Sequence, residues 1–265
     1  MEGPLCCPLP VALESAPMRL VTWNCCSGPL GRKLSDLATL AADIVVVPEC
    51  PRIPEQSGVS VWRGSKPTKG LAVFATGPWQ VHRALAPRGL PRYALPVQVS
   101  GPESFLLLAV WAMPHPTIPY VRGMHRAVRA CRSLMQAQPT VLLGDFNSNA
   151  IWDADNPADR SHSALVRYLG ELGLESAYHR RYAEAQGHET RPTFFLYRHQ
   201  RRPYHIDYCF LPTHWLGRIR DVTVGDHRAW AAKSDHMPLT VDVGPTEEVE
   251  SHVPRSAVRL AQDVE

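Results

Sequence analysis

Short apolar runs recur along this chain, and glycine, proline or small polar residues separate most of them. Runs of this length that are rich in β-branched and aromatic residues are typical of strands. The pattern predicts strands at 19–24, 43–49, 59–63, 71–75, 81–85, 94–99, 105–112, 141–145, 193–197 and 204–210, and a last strand that opens at 234–239. Helical spacing of apolar residues is found at 33–41, 120–137 and 162–172. Because a helix crosses between the runs 19–24 and 43–49, we expect these two strands to lie side by side in one sheet of a layered β architecture.

Polar side chains of complementary chemistry stand at the ends of these apolar runs or inside them. They are Asn24, Glu49, Asp145, Asn147, Asp207, Asp235 and His236. Asp145 and Asn147 are two residues apart, so in extended backbone they point to the same side and could reach one phosphate or one metal-bound water. Taken alone, this segment could equally be a strand followed by an Asx turn. The repetition at several other strand ends favours a site.

The order of these motifs resembles that of the endonuclease/exonuclease/phosphatase superfamily, the metal-dependent phosphoesterases that include deoxyribonuclease I-like and abasic-site nucleases. The resemblance rests on Gly-Asp-Phe-Asn at 144–147, Ser-Asp-His at 234–236 and the upstream residues Asn24 and Glu49. It spans residues 18–243 and implies a four-layer α/β sandwich, in which two mixed β-sheets are flanked by helices. Residues 1–17 are then expected to be a loosely held leader, and residues 244–265 a C-terminal tail.

The resemblance implies that Glu49 is the principal ligand of a metal ion, with Asn24 and Asp235 completing or supporting its coordination. Carboxylate and amide oxygens, without cysteine or clustered histidine, indicate Mg²⁺ or Mn²⁺. Among the cysteines, Cys25 and Cys26 are read as small buried side chains near the site and not as thiolate ligands.

The catalytic residues implied by the resemblance are His236, Asp207, Asp145 and Asn147. His236 is expected to pair with Asp207, and the pair to polarise the phosphate or activate water. A neighbouring carboxylate would fix the tautomer of the imidazole and stabilise its cationic form. Asp145 is expected to align or deprotonate the nucleophilic water, and Asn147 to donate its amide to a phosphate oxygen.

Two positions depart from the pattern of the superfamily. Nuclease members often carry an acid two residues after the first-strand asparagine, where this chain has Cys26. Members also place a histidine or tyrosine at the end of the strand before the long helix, and here the position holds Trp111. Tryptophan cannot accept a proton, although its indole N–H can donate a hydrogen bond. His115, four residues later, could take over that contact with the substrate.

Composition adds little evidence for nucleic acid as a substrate, because the net charge is only +3. The segment 177–202, however, interleaves arginines with aromatic rings, a combination that can bind phosphates and stack on bases. Arg201 and Arg202 are the candidate phosphate contacts within it. The alternative reading has core aromatics with solvent-facing arginines between them.

The chain has no apolar run near the ~20 residues that a membrane helix requires and no secretory signal pattern at residues 1–17. Its seven cysteines fit a reducing compartment. We therefore expect a cytoplasmic, metal-dependent phosphoester hydrolase, with nucleic acid as the leading substrate; the oligomeric state stays open. A phosphomonoesterase or phospholipid-headgroup diesterase is the alternative, and an inactive binding module ranks last.

Overall fold

The structure, a computed structural model, describes residues 17–113 and 119–246. The predicted leader, apart from Pro17, and the predicted tail after residue 246 lie outside the described residues. Within them the strands are, in chain order, β1 (Met18–Thr22), β2 (Ile44–Cys50), β3 (Ser60–Lys66), β4 (Lys69–Ala75), β5 (Gln80–Arg83), β6 (Ala94–Ser100), β7 (Phe105–Trp111), β8 (Thr140–Asp145), β9 (Leu174–Ser176), β10 (Phe194–Phe195), β11 (Pro203–Tyr204), β12 (Asp207–Pro212), β13 (Ile219–Val224) and β14 (Leu239–Val243). The α-helices are α1 (Leu30–Ala38), α2 (Tyr120–Ala137), α3 (His162–Glu171), α4 (Ala177–Tyr182) and α5 (His227–Trp230).

Twelve of these strands form two six-stranded sheets, with the orders β13-β14-β1-β2-β4-β3 and β5-β6-β7-β8-β12-β9, and β10 pairs with β11. Both large sheets are mixed, because β1 and β2 are parallel, as are β7 and β8, while their other pairs are antiparallel. Each parallel pair is joined through a helix, α1 in the first sheet and α2 in the second. The prediction that these two strands, β1 and β2, lie side by side in one sheet is confirmed.

Side chains alternate along each central strand and thereby define the layers. In β7, Leu107 and Ala109 belong to the core between the two sheets, whereas Leu106 and Leu108 pack with α2 and α3 on the outer face. The outer face of the first sheet has its own core, which includes Leu37 of α1 and Trp230 of α5. The predicted four-layer α/β sandwich is therefore confirmed.

Two predicted strands are shorter than expected. The strand predicted at 193–197 ends at Phe195, because Tyr197 and Arg198 adopt left-handed backbone angles in a 3₁₀ turn. The predicted run 204–210 is divided between β11 and β12. The apolar pattern could not predict these breaks, because both result from the hairpin in which β10 pairs with β11.

Gly144 allows β7 and β8 to approach each other closely just before Asp145. Its φ is +145°, and a Cβ atom there would lie 2.0 Å from the carbonyl oxygen of Val110. Any other residue would push the strands apart just before Asp145. No helix among the described residues is long and apolar enough to cross a membrane.

Candidate active site

The polar strand ends meet at one edge of the layer between the two sheets. Asp145 ends β8 and Asp207 begins β12, and the antiparallel register places the two residues directly opposite each other. Asn24 follows β1, and His236 precedes β14. All four side chains are buried. Strands from both sheets thus deliver carboxylate, amide and imidazole groups to one place.

His236 lies between the two aspartates. Its Nδ1 is 2.8 Å from Oδ2 of Asp207, and its Nε2 is 3.9 Å from Oδ2 of Asp145. The hydroxyl of Thr193 accepts hydrogen bonds from the backbone N–H groups of Ile206 and Asp207, which fixes the start of β12. With Asp207 bound at Nδ1, the imidazole directs Nε2 toward Asp145 and the site.

Burial and charge oppose each other in setting the pKa values of this cluster. Burial lowers the pKa of His236, but the carboxylates of Asp207 and Asp145 outweigh it and raise the pKa above the ordinary histidine value. Burial raises the pKa of Asp145, and the cationic His236 opposes that rise. The cluster therefore holds an imidazolium beside a carboxylate that is more basic than usual.

Asp145 is held by amide donors on both of its oxygens. Asn24 Nδ2 donates to Oδ2 at 3.0 Å and Asn147 Nδ2 donates to the same oxygen at 2.9 Å, while the backbone N–H of Asn147 donates to Oδ1 at 2.8 Å. Asn147 adopts a left-handed φ of 45°, which asparagine tolerates better than most residues. Its Nδ2 also donates to the carbonyl of Ala112. Both amide hydrogens thus have protein acceptors, so the predicted contact of Asn147 with a phosphate oxygen requires one of these bonds to open.

Glu49 lies in a β-bulge and contacts Ser27 and Lys69. The pairing of β2 with β4 shifts between Pro48 and Cys50, and Glu49 takes a left-handed φ of 60° there. Its Oε2 accepts a hydrogen bond from the hydroxyl of Ser27 at 3.2 Å and lies 3.0 Å from Nζ of Lys69. Strain of this kind in a non-glycine residue is characteristic of functional positions.

Lys69 is a site residue that sequence reasoning missed. Besides its contact with Glu49, its ammonium lies 5.1 Å from the ring centroid of Trp111, a cation–π distance. The residue begins β4, directly before Gly70. Its placement beside Glu49 depends on the pairing of β4 with β2, so the one available signal was a cation at the start of that strand.

A buried polar network supports the segment after Asn147, and sequence reasoning missed it as well. Ser148 bonds His162, and Gln186 connects His162 to His179. His179 in turn bonds Glu189. Asn149 donates to the same Glu189 and to the carbonyl of His205. These residues come from five separate segments of the chain, which explains why no local pattern marked them.

The sequence model of the Endonuclease/Exonuclease/phosphatase family matches residues 21–236. The chain belongs to the Endonuclease/Exonuclease/phosphatase family. It is accordingly assigned to the metal-dependent phosphoesterases. No curated protein sequence matches the chain.

Solved structures with the same fold include several DNA-processing enzymes. A 3′ phosphatase from Neisseria bound to its product DNA hairpin is 22% identical, with a TM-score of 0.64 over 85% of this chain and 99% of that chain. A 3′-5′ exonuclease from Neisseria meningitidis is 23% identical, with a TM-score of 0.65 over 86% and 100% of the two chains. An AP endonuclease from Archaeoglobus fulgidus is 17% identical, with a TM-score of 0.65 over 85% and 99%. At these identities the likeness establishes the fold.

The donor set suits the divalent metal on which the Endonuclease/Exonuclease/phosphatase family depends. Within the described part of the chain, one group of three His, Cys, Asp or Glu side chains has its potential ligand atoms within 4.8 Å of one another. The group consists of Asp145, Asp207 and His236. Oδ1 of Asp207 is buried without a hydrogen-bond partner among the described residues, an orphan oxygen that a cation or its water would satisfy. Glu49, whose carboxylate lies 3.0 Å from the ammonium of Lys69, stays a predicted further oxygen donor. Hard cations prefer such oxygens, so the residues present fit Mg²⁺ or Mn²⁺.

The other predicted ligands to this metal have additional partners. Oδ1 of Asn24 accepts the backbone N–H of Cys26, and Asp235 is half-buried, with the hydroxyl of Ser234 at 3.4 Å. Cys26 therefore contributes its backbone where many family members place an acid. The ligand roles of Asn24, Glu49 and Asp235 stay predictions.

The predicted substrate contacts divide into three cases. Trp111 is 2% exposed and packs against Tyr93 at a ring distance of 4.6 Å, so it forms a wall of the site. His115 lies outside the described residues. Arg201 and Arg202 are exposed in the loop between β10 and β11. The same hairpin places Phe194 4.7 Å from the ring of His236, which brings this basic loop to the rim of the site.

The segment 177–202 combines both readings that its composition allowed. Tyr178 and Phe195 are buried in the core, whereas Tyr197 is 76% exposed. Its aromatic residues are therefore divided between packing and surface.

Proposed function

We propose that this protein hydrolyses phosphodiester bonds of nucleic acid with Mg²⁺ or Mn²⁺ as its cofactor. The observation that carries the proposal is the buried cluster in which His236, oriented by Asp207, faces Asp145 across 3.9 Å. A hydrogen-bond donor with a raised pKa and a carboxylate with a raised pKa are the two groups that addition of water to a phosphate requires.

His236 would stabilise the phosphate as negative charge develops on its oxygens. The Nδ1 contact with Asp207 fixes the ring, so the Nε2–H can donate to a phosphoryl oxygen that lies beside Nε2 and Asp145. Because both aspartates raise the pKa of His236, the imidazole carries this proton at neutral pH.

Asp145 would orient the attacking water and accept its proton. Three hydrogen bonds from Asn24 and Asn147 hold its carboxylate still, so little reorganisation is needed when water binds. Burial makes this carboxylate more basic than an exposed aspartate.

The metal would be held by Glu49, with Asn24 and Asp235 in support. When bound, the cation supplies neutralisation of phosphate charge. Lys69 sits beside Glu49 and would add a second positive charge on the side of the site that Trp111 closes.

Nucleic acid is the preferred substrate because the hairpin that contacts this centre carries a loop with exposed arginines. Arg201 and Arg202 lie on the hairpin that touches His236 through Phe194. The DNA hairpin bound to the Neisseria phosphatase of the same fold supports this choice.

A second candidate is hydrolysis of a phosphoester with a small or lipid-like organic group. It is favoured by a cavity of about 570 Å³ beside the site, which has apolar walls formed in part by Leu90, Tyr93, Trp111 and Met124. Cavities of this size accommodate organic ligands. In that case the cavity would hold the group attached to phosphate.

The decisive experiment is an activity screen with Mg²⁺ and with Mn²⁺ on wild-type protein, His236→Ala and a control, His188→Ala. His188 is an exposed histidine in the loop 183–193. The substrates are plasmid DNA, single-stranded RNA, bis-p-nitrophenyl phosphate and p-nitrophenyl phosphate. We expect nicking or degradation of nucleic acid by the wild type and by His188→Ala, and a loss of about 10²–10⁴-fold in His236→Ala.

Two other outcomes would replace the proposal. Cleavage of p-nitrophenyl phosphate without cleavage of nucleic acid would favour the phosphomonoesterase alternative. Silence on every substrate, with an intact fold by circular dichroism, would favour an inactive binding module.

A further inference from the structure

A basic pocket lies at the edge of the sandwich, where the edge strands β3 and β5 meet. Its volume is about 630 Å³, and its lining includes Arg52, Arg63 and Arg83, with Glu55 as its one acidic residue. Three guanidinium groups against one carboxylate leave an excess of positive charge in a concave site. Such an excess selects an anionic ligand.

The three arginines differ in how they are held. Nε of Arg83 donates to Oε2 of Glu55 at 3.1 Å, and its guanidinium also reaches the carbonyl of Trp62. Arg63 donates to the carbonyl of Ala94 at 3.0 Å. Neither Arg63 nor Arg52 forms an ion pair with a carboxylate within residues 17–113 and 119–246. Arg63 is half-buried, and burial together with Arg83 and Arg92 lowers its pKa, so an anion here would relieve the repulsion.

The wall of the pocket contains the ring of Trp62, which packs over two glycines. A Cβ atom at Gly64 would lie 2.4 Å from the ring of Trp62, and one at Gly70 would lie 2.5 Å from it. The two glycines face each other in the β3–β4 ladder and leave room for the Trp62 ring across both strands. The indole N–H of Trp62 donates to the carbonyl of Cys50, the residue after Glu49. The pocket and the proposed metal ligand therefore share one rigid scaffold.

A continuous set of contacts connects the pocket to the catalytic centre. Arg63 contacts Ala94, the residue after Tyr93; Tyr93 packs on Trp111, and Lys69 lies over Trp111. Arg63 pairs with Leu71, two residues from Lys69 on the adjacent strand. With a rise of about 3.3 Å per residue and strands about 4.8 Å apart, the Cα atoms of Arg63 and Lys69 are separated by roughly 8 Å. That distance corresponds to one or two nucleotides of a strand that leaves the centre.

We propose that the Arg52–Arg63–Arg83 pocket binds a backbone phosphate of the nucleic-acid strand that extends from the catalytic centre past Lys69. Guanidinium groups bind phosphate oxygens in bidentate geometry, so several of them converging on one pocket suit this ligand. The pocket would favour substrates several nucleotides long over isolated phosphoesters. This inference rests on the proposed nuclease function.

Two substitutions with opposite expected effects test the pocket. Arg52→Gln removes an exposed cation, whereas Glu55→Gln removes the competing carboxylate and releases Arg83. Arg167→Gln, an exposed arginine on α3, is the matched control. Each change is made in a His236→Ala background that does not cut DNA, and binding of a fluorescein-labelled 20-nucleotide single-stranded DNA is followed by anisotropy across a series of salt concentrations.

We expect Arg52→Gln to weaken binding by roughly three- to tenfold at low salt and to reduce the slope of log K against log salt by about 0.7. Glu55→Gln should tighten binding by a few-fold, an effect that misfolding cannot produce. Arg167→Gln should match its parent. With His236 intact, Arg52→Gln and Glu55→Gln should leave turnover of bis-p-nitrophenyl phosphate unchanged, because that substrate does not reach the pocket.

The outcomes separate this inference from the function on which it rests. The wild type could cleave nucleic acid while Arg52→Gln and Glu55→Gln leave the affinity and the salt slope unchanged. That result would overturn the proposed phosphate binding by the pocket and would leave the proposed function standing. Failure of the His236→Ala parent to bind the oligonucleotide, together with failure of the wild type to cut nucleic acid, would overturn both.

Discussion

At the scale of single residues, His236 and Asp145 face each other in a place where both are almost fully excluded from water. Low local polarity strengthens the interaction of His236 with Asp207 and with Asp145. The same burial makes Asp145 costly to ionise unless a cation is near. The two groups thus depend on each other for their charge states.

Asp207→Asn should separate the orienting role of Asp207 from simple packing. The amide keeps the shape of the side chain but removes the charge that raises the pKa of His236. We expect activity to fall by about 10²–10⁴-fold, and the alkaline limb of the kcat/KM profile to move to lower pH by roughly one to two units. Measured pH profiles would check the shift, with Asp155→Asn, an exposed loop acid, as control. An unchanged alkaline limb would mean that Asp207 does not set the charge of His236.

Lys69→Met should alter metal binding in a way that activity alone would not reveal. Lys69 and a metal ion compete for Glu49, so loss of the ammonium should raise the affinity for Mn²⁺ by about two- to tenfold. Lys69→Arg keeps the charge and should behave like the wild type. Titration of Mn²⁺ by electron paramagnetic resonance gives the affinities directly, and weaker binding in Lys69→Met would show that the lysine supports the metal.

At the scale of elements, the loop 183–193 links the buried polar network to the catalytic strand ends. Its last residue, Thr193, accepts the N–H groups of Ile206 and Asp207 through its hydroxyl, and its carbonyl accepts the N–H of Met237. Glu189, whose side chain is 3% exposed, anchors the loop to His179 and Asn149. The loop therefore positions Asp207 directly and His236 through its neighbour Met237.

Glu189 should make stability depend on pH in acid. Burial would raise its pKa, but hydrogen bonds from His179, Asn149 and the N–H of Gly187 outweigh it and lower the pKa to about 2. A depressed pKa stabilises the fold above the unfolded value near 4.3, and this contribution is lost as the pH falls from there toward 2. Urea unfolding should show wild type more stable than Glu189→Gln by up to about 3 kcal/mol at pH 7. The difference should shrink at pH 3, and a constant difference would contradict the assignment.

The elements that sequence reasoning placed well are those whose apolar pattern is local. Helix α2 has the predicted bounds, and the central strands β7 and β8 lie where apolar runs indicated them. The contact of Lys69 with Glu49 could not be predicted, because it forms only when β2 and β4 pair. No spacing of residues along the chain indicates that pairing. The bulge at Glu49 likewise arises only when β2 and β4 pair. Arg63 and Arg83 come close only when the edges of the two sheets meet.

At the scale of the whole molecule, the two sheets converge on one edge, so a ligand bound there connects the two halves of the sandwich. Mn²⁺ at 100 times its Kd should stabilise the fold by about 2.7 kcal/mol, which corresponds to a rise of roughly 5–10 °C in Tm. Glu49→Ala should abolish this rise and Mg²⁺-dependent turnover while retaining the fold. Glu175→Ala, an exposed acid in β9, should keep both. Differential scanning calorimetry with and without EDTA provides the measurement, and an undiminished rise in Glu49→Ala would remove Glu49 from the metal site.

The pairing of β1 with β14 has a consequence for the order in which a ribosome makes this protein. Met18 lies opposite Val243, so β1 waits for β14, the last strand among the described residues, before its second edge is covered. His236 is likewise translated long after Asn24 and Asp145. A nascent or prematurely terminated chain that stops short of residue 236 therefore lacks the imidazole and keeps an open strand edge, which invites aggregation. The imidazole of His236 and the strand that closes the sheet are therefore made within a few residues of each other.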